Sequence, residues 1–241
     1  MNTNPEDQTR GDSTPFFHGD EPAPLSCNET ASLCMKAARG AGMSWGMAEE
    51  AGFASAWLVA HCIDGPSCLY AHLERADGKV WGDLCPTITP TSWRNTADHA
   101  ICPIILGATI CDYADLPEGP RPDTTIQLGR VSMPILLVPF LAVLARKNAL
   151  GITLKWADSS ICINHDETWL EAAARHLTVQ QLDLTLSVKA GQVQKANNQT
   201  ALKSRTTAGT IAALNTLAMR TTVPASDASR SSAGSTLSDN D

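Results

Sequence analysis

Between residues 26 and 58 the apolar positions recur at helical spacing in two separate runs. The first passes through Leu33, Met35 and Ala37-Ala38 and is preceded by Ser26-x-x-Glu29. That pair is a capping box, in which the serine oxygen accepts the N3 amide and the glutamate reaches back to the cap. The run stops at Gly40 and Gly42, where a left-handed C-cap is easiest. Ser44 can cap the second run, which carries Glu49 and Glu50 early and Phe53, Trp57 and Leu58 on one face. The pattern predicts helix, tight turn, helix.

From 64 to 122 the periodicity breaks up at Gly65-Pro66, Asp77-Gly78, Cys85-Pro86, Thr89-Pro90, Cys102-Pro103 and Gly119-Pro120. Such punctuation leaves room only for short strands or helices wrapped over a core. Residues 101–110 are the one apolar piece there long enough to be buried. A buried helix is expected over 133–147, with Pro134 near its first turn and Pro139 early or at a kink. Residues 152–156 and 160–164 flank Ala157-Asp158-Ser159, a hairpin pattern. A short helix is expected over 167–177. Leu182, Leu184, Leu186 and Val188 then alternate with Asp183, Thr185 and Ser187, the signature of a half-buried strand. A polar loop at 191–203 leads to a last helix over 207–219.

Together these elements predict an α+β fold, an N-terminal helical hairpin packed on a mixed or antiparallel sheet. The expected organisation is a single domain over 26–220, preceded by a disordered leader at 1–25. It is followed by a Ser-rich tail at 221–241, which is either a solvated appendage or a docked lid.

The chain has 241 residues, 43% of them hydrophobic and 18% charged, and a net charge of -7. That balance belongs to a soluble globular protein. It argues against nucleic acid as a partner, because phosphate neutralisation needs clustered Lys and Arg. A helix-turn-helix reading of the opening hairpin fails on the same ground, since its second helix carries Glu49 and Glu50 and no cation. The first twenty residues have no apolar signal-peptide core. The longest apolar run, 131–145, is too short to span a bilayer and contains Pro134 and Pro139. A cytoplasmic location without membrane contact is expected. The eight cysteines include no CxxC pair, and reduced thiols acting as small core hydrophobes are the simplest reading.

Three blocks carry a family resemblance. The first is Asn28-Glu29, Lys36-Ala37-Ala38-Arg39-Gly40-Ala41-Gly42, Gly46-Met47-Ala48-Glu49-Glu50-Ala51-Gly52 and Trp57-Leu58. The second is Cys102-Pro103, Gly107-Ala108 and Asp112, and the third is Val223-Pro224-Ala225-Ser226, Ser229-Arg230 and Asp239-Asn240-Asp241. From Ser26 onward the chain resembles an uncharacterised bacterial family known as domain of unknown function 3726. The resemblance implies a bacterial cytoplasmic protein and brings no activity with it. In this chain residues 231–236 replace a more glycine-rich stretch of the family pattern.

The candidate chemistry centres on the opening hairpin. Lys36 and Arg39 share a helix face, and Arg39 at the glycine turn could clamp a carboxylate or phosphate. The competing reading is a helix C-terminus decorated with favourable cations. Glu29, Glu49 and Glu50 are the candidate catalytic acids or bases, against the reading of a solvated helix face. Trp45 completes the substrate-binding set, with Ser226 and Arg230 supplied by a docked tail. Trp45 and Trp57 are also simple core anchors.

His61-Cys62, Cys68 and His72, and separately His99-x-x-Cys102, contain metal-ligand types. None matches a zinc signature, and no metal is assigned. Cys62 or Cys111 could pair with His61 or His99 as a nucleophile. Glycine-rich phosphate loops are absent from the sequence, and no organic cofactor is expected. The expectation is therefore a cytoplasmic small-molecule enzyme using acid–base or hydrolytic chemistry on a polar, carboxylate-bearing metabolite. The alternative is a non-catalytic accessory or ligand-binding subunit of a metabolic enzyme complex. A homo-oligomer fits either.

Overall fold

Ser26 caps the first helix as its sequence requires: its hydroxyl accepts the Glu29 amide at 3.2 Å, and the Glu29 carboxylate accepts the Ser26 amide at 2.8 Å. The computed structural model describes residues 22, 25–164, 168–191 and 206–221. Helix α1 spans Cys27–Gly40 and α2 spans Trp45–Ala60, with the Ser44 hydroxyl accepting the Met47 amide. Gly42 supplies the left-handed residue of the turn between them, at φ +93°.

The punctuated middle is more helical than its Gly and Pro content predicts. Helix α3 runs Gly65–Ala76, with Asp64 as N-cap and Pro66 in the first turn. Helix α4 runs Pro103–Asp112, with Cys102 at its N-cap. Both Gly65-Pro66 and Cys102-Pro103 are helix starts rather than breaks, because proline's missing N–H costs nothing in the first turn. A short 3-10 turn, Trp81–Leu84, lies between the two helices.

Strand β1, Thr125–Ser132, has no counterpart among the expected elements. A bulge between Gln127 and Gly129 shifts its register, so the buried positions change parity from Ile126 and Leu128 to Val131. That destroys the two-residue period a sequence reading relies on. The single helix expected over 133–147 is two pieces, a 3-10 turn Pro134–Leu137 and helix α5, Val138–Lys147. Pro139 sits in the first turn of α5 and neither kinks nor ends it.

The hairpin is present as β2, Leu150–Trp156, and β3, Ser159–Ile163. Helix α6 covers Leu170–Leu177, the alternating strand is β4, Gln181–Ala190, and α7 is Ala208–Met219. The sheet is wholly antiparallel in the order β1-β4-β2-β3. The alternation in β4 buries Leu184, Leu186 and Val188, as a central strand with one covered face should.

Helix α5 packs on the sheet through β2, and α4 packs on α5. The opening hairpin joins this layer through α2, and α1 packs mainly against α2 and α7. Buried residues from helices and sheet form one connected cluster, from Cys34 and Leu58 through Phe140 to Ile152 and Leu186. Helix α7 is tied to α3 by Ser67 with Thr210 at 3.0 Å and by Arg220 with Asp77 at 2.8 Å. Of the expected leader at 1–25 all but residues 22 and 25, of the polar loop at 191–203 all but 191, and of the tail at 221–241 all but 221, with Ser226, Arg230 and the docked lid, lie outside the described residues.

Candidate functional site

The α2–α4–α5 junction encloses a cleft of about 520 Å³, the size range of small-molecule sites. Helix α2 contributes Met47, Glu49, Glu50 and Phe53. Their spacing follows from the helix: 49 and 53 are one turn apart, and 47 and 50 flank them on the same side. Helix α4 brings Ala108, Cys111 and Asp112, and α5 brings Phe140 and Val143. Phe53 meets Phe140 edge-on at 5.5 Å between ring centres, closing the apolar floor. Gly107 allows α4 this close, since a Cβ there would strike the Phe140 ring.

Three carboxylates border that floor. Glu50 is half-buried, whereas Glu49 and Asp112 are exposed. Burial pushes the Glu50 carboxyl above the ordinary carboxylate range, and the negative charges of Asp112 and Glu49 add to the shift. Cys111 lies beside them with its thiol pushed up to about 11, chiefly by burial and then by Glu50. It is a neutral thiol at physiological pH, not an activated nucleophile.

The other residues singled out in the sequence do not line this cleft. Glu29 is occupied by the capping box, and the Ser26 amide and hydroxyl hold its carboxyl below the usual range. Lys36 is exposed. The Arg39 guanidinium donates to the Met43 carbonyl at 2.6 Å and lies 5.3 Å from the centre of the Trp45 ring. Arg39 therefore pins the hairpin turn, the use favoured for a cation at a helix C-terminus. Trp45 is 60% exposed, not the core anchor its hydrophobicity suggested. Trp57 is partly buried and stacks on the His61 ring at 3.6 Å.

A second constellation joins one member from each of the two His/Cys sets seen in the sequence. His72 on α3 is fully enclosed, with Nδ1 3.1 Å from Ser132 Oγ and Nε2 3.2 Å from Cys102 Sγ. Burial, with Arg75 and Lys79 nearby, lowers the imidazole to about 3. Burial likewise raises the Cys102 thiol to about 12, against the opposing effect of the Ile105 and Ile104 amides at the start of α4. Both groups are neutral. No spacing could have paired them, because thirty positions separate them in the chain. The only signal was Cys-Pro as a helix start.

All eight cysteines are free thiols, with Cys34, Cys68 and Cys102 buried and Cys27 and Cys162 exposed. Among the described residues, no group of three or more His, Cys, Asp or Glu is placed to hold a metal ion. No helix among them is long and apolar enough to cross a membrane.

Residues 25–102 match the model of a family described as Protein of unknown function (DUF3726). The match covers about a third of the chain, and over that stretch the chain is similar to this family. The matched segment contains the helical hairpin, α3 and the cysteine at the N-cap of α4. It holds Glu49 and Glu50 but ends before Asp112, Phe140 and Ser132. The resemblance noted at 107–112 and in the tail thus falls beyond the matched residues. No curated protein and no solved structure matches the chain.

Proposed function

We propose that the protein is a small-molecule enzyme working by acid–base chemistry in the α2–α4–α5 cleft, with Glu50 as the group that carries the proton. The observation that supports this most is the half-buried Glu50 in an apolar cleft of about 520 Å³, its carboxyl raised by burial and two neighbouring acids. A carboxyl shifted toward neutrality is suited to exchange protons with a bound molecule. Hydrolysis through a thiol nucleophile has no support from Cys111, whose proton is held too tightly.

The cleft favours a ligand chemistry different from that expected of the sequence. A carboxylate-bearing metabolite was inferred from Arg39, and that cation is engaged at the turn. The cleft presents Glu49, Glu50 and Asp112 over Phe53 and Phe140, which complements a cationic head on an apolar body. A bound cation would also favour the ionised form of Glu50, turning it into a proton acceptor once the site is occupied.

The test uses phenethylamine and phenylpropionate, two probes of similar shape and opposite charge. Phenethylamine is expected to bind saturably by calorimetry, with at least tenfold weaker binding to Glu50→Gln. Stronger binding of phenylpropionate, or an unchanged affinity in Glu50→Gln, would overturn the reading.

A second reading rests on its own observation. Trp45, Glu49 and Phe53 form an exposed stripe at four-residue intervals on α2, which favours an accessory subunit docking a partner there. In that case neither probe binds, and Trp45→Ser with Phe53→Ser disrupts co-purification of the partner.

A further inference from the structure

Beside the enclosed His72 lies a recess of about 10 Å³, the room of one water or one oxygen of a larger group. Of the residues lining it, His72 and Ser132 are buried and make its inner wall, whereas Arg75 is half-buried and Lys79 and Gln181 are exposed, toward its mouth. Its lining includes no Asp or Glu. The two acids nearest in sequence are engaged elsewhere: Glu74 accepts from the Tyr70 hydroxyl, and Asp77 accepts from Arg220. Nη1 of Arg75 is buried and makes no hydrogen bond among the described residues. Leaving such a donor unmatched carries a desolvation cost, and the same side chain lines the recess.

The inner wall offers a further donor. The Cys102 thiol keeps its proton, and its sulfur faces His72 Nε2. If Nε2 accepts that proton, the neutral ring carries its hydrogen on Nδ1 and donates it to Ser132 Oγ. The Ser132 hydroxyl hydrogen is then left to point elsewhere, and Ser132 lines the recess. In that tautomer the hydrogen-bond chain Cys102–His72–Ser132 leaves the Ser132 O–H free to point into the recess.

We propose that Arg75, Lys79, Ser132 and the Gln181 amide form a binding site for the oxyanion of a carboxylate or phosphate group, one oxygen of which enters the recess. The site is distinct from the acid-lined cleft, shares no residue with it and stands whether or not that cleft is catalytic. Arg75 supplies the directional donors and Lys79 a point charge at the mouth. His72 and Cys102 do not touch the anion. They are positioning residues that fix the Ser132 hydroxyl.

The experiment is an NMR titration of the full chain with inorganic phosphate, acetate and, as a control for ionic strength, chloride. Phosphate or acetate should shift the Gln181 side-chain amide and the His72 ring resonances saturably, while chloride leaves them in place. Phosphate alone marks a phosphoryl ligand; acetate alone or both mark a carboxylate-sized site. Lys79→Gln, an exposed change that should not affect folding, is expected to weaken binding at least threefold. Arg75→Gln should weaken it at least tenfold, with circular dichroism confirming the fold. Lys36→Gln, a cation elsewhere on the surface, should leave affinity unchanged. Ser132→Ala should weaken binding, and Cys102→Ser, which retains a hydrogen-bonding proton, should not. Shifts that chloride reproduces, or equal affinity in Lys79→Gln and Lys36→Gln, would show only a water in the recess and overturn the proposal.

Discussion

Gly40→Ala is expected to destabilise the protein by at least about 2 kcal/mol. In most helices the same change stabilises by up to about 1 kcal/mol, because alanine is the better helix former. The sign reverses here because α1 crosses α7 at this residue: a Cβ on Gly40 would overlap the carbonyl of Leu217. The obstacle is main chain, so no rotamer change can relieve it. Helix α7 would have to move away, straining its links to α3 through Thr210 and Arg220. Gly46→Ala is the matched control, since nothing lies within 4 Å of the added methyl, and it should be neutral or stabilising. Urea denaturation of the two variants checks the pair. A Gly40→Ala protein as stable as its parent would mean that α7 does not dock as described.

The second large effect is a loss of stability on mild acidification, driven by His72. Its folded-state pKa of about 3 lies below the ordinary value of 6.5. Below pH 6.5 the unfolded chain therefore takes up a proton that the folded chain refuses. The stabilisation is complete above 6.5 and declines as the pH falls, by about 1.4 kcal/mol per pH unit. Between pH 6.5 and 4.5 the loss should reach roughly 2–3 kcal/mol.

Other groups act with different signs or in different windows. Glu50 is raised above its ordinary value of 4.5, so its contribution grows as pH falls and partly masks the effect. Glu29 and Asp77 are lowered from 4.5 and 3.8, and their losses come at still lower pH. Urea titrations from pH 7 to 4.5 in a Glu50→Gln background isolate the imidazole. The slope should be steep with His72 present and much flatter in His72→Gln. Equal slopes in the two proteins would show that the ring is not held neutral by its surroundings.

The elements that were readable in the sequence are those whose signals are local. Ser26 with Glu29 and the alternation at 182–188 each specify an element within a few residues. The failures have physical causes too. Proline after Gly65 and after Cys102 reads as a break, yet its ring suits a first helical turn. In β1 one bulged residue reverses which positions face inward, so the strand has no clean period.

The candidate site was legible only in part. Glu49 and Glu50 do border a cleft, but its other walls come from residues 108–112 and 140–143, and no local pattern announces that meeting. Two readings of Arg39 stayed open in the sequence because the Met43 carbonyl that it meets, four residues away and across a turn, is an acceptor that no residue letter records. His72 and Cys102 stood in two separate sets, and Arg75 in neither, for the opposite reason. Their association depends on how α3, the start of α4 and the end of β1 come together.

The distribution of the eight thiols gives the molecule built-in reporters of its own breathing. Cys34, Cys68 and Cys102 are enclosed on α1, on α3 and at the start of α4, each with its proton held to about pH 12. An alkylating reagent needs both access and thiolate, so each of the three can react only during moments when its surroundings open. Cys27 and Cys162, at the surface, mark the start of the reaction. The delay before each buried sulfur is tagged, followed by mass, then ranks three regions of the helical layer by how often they come apart.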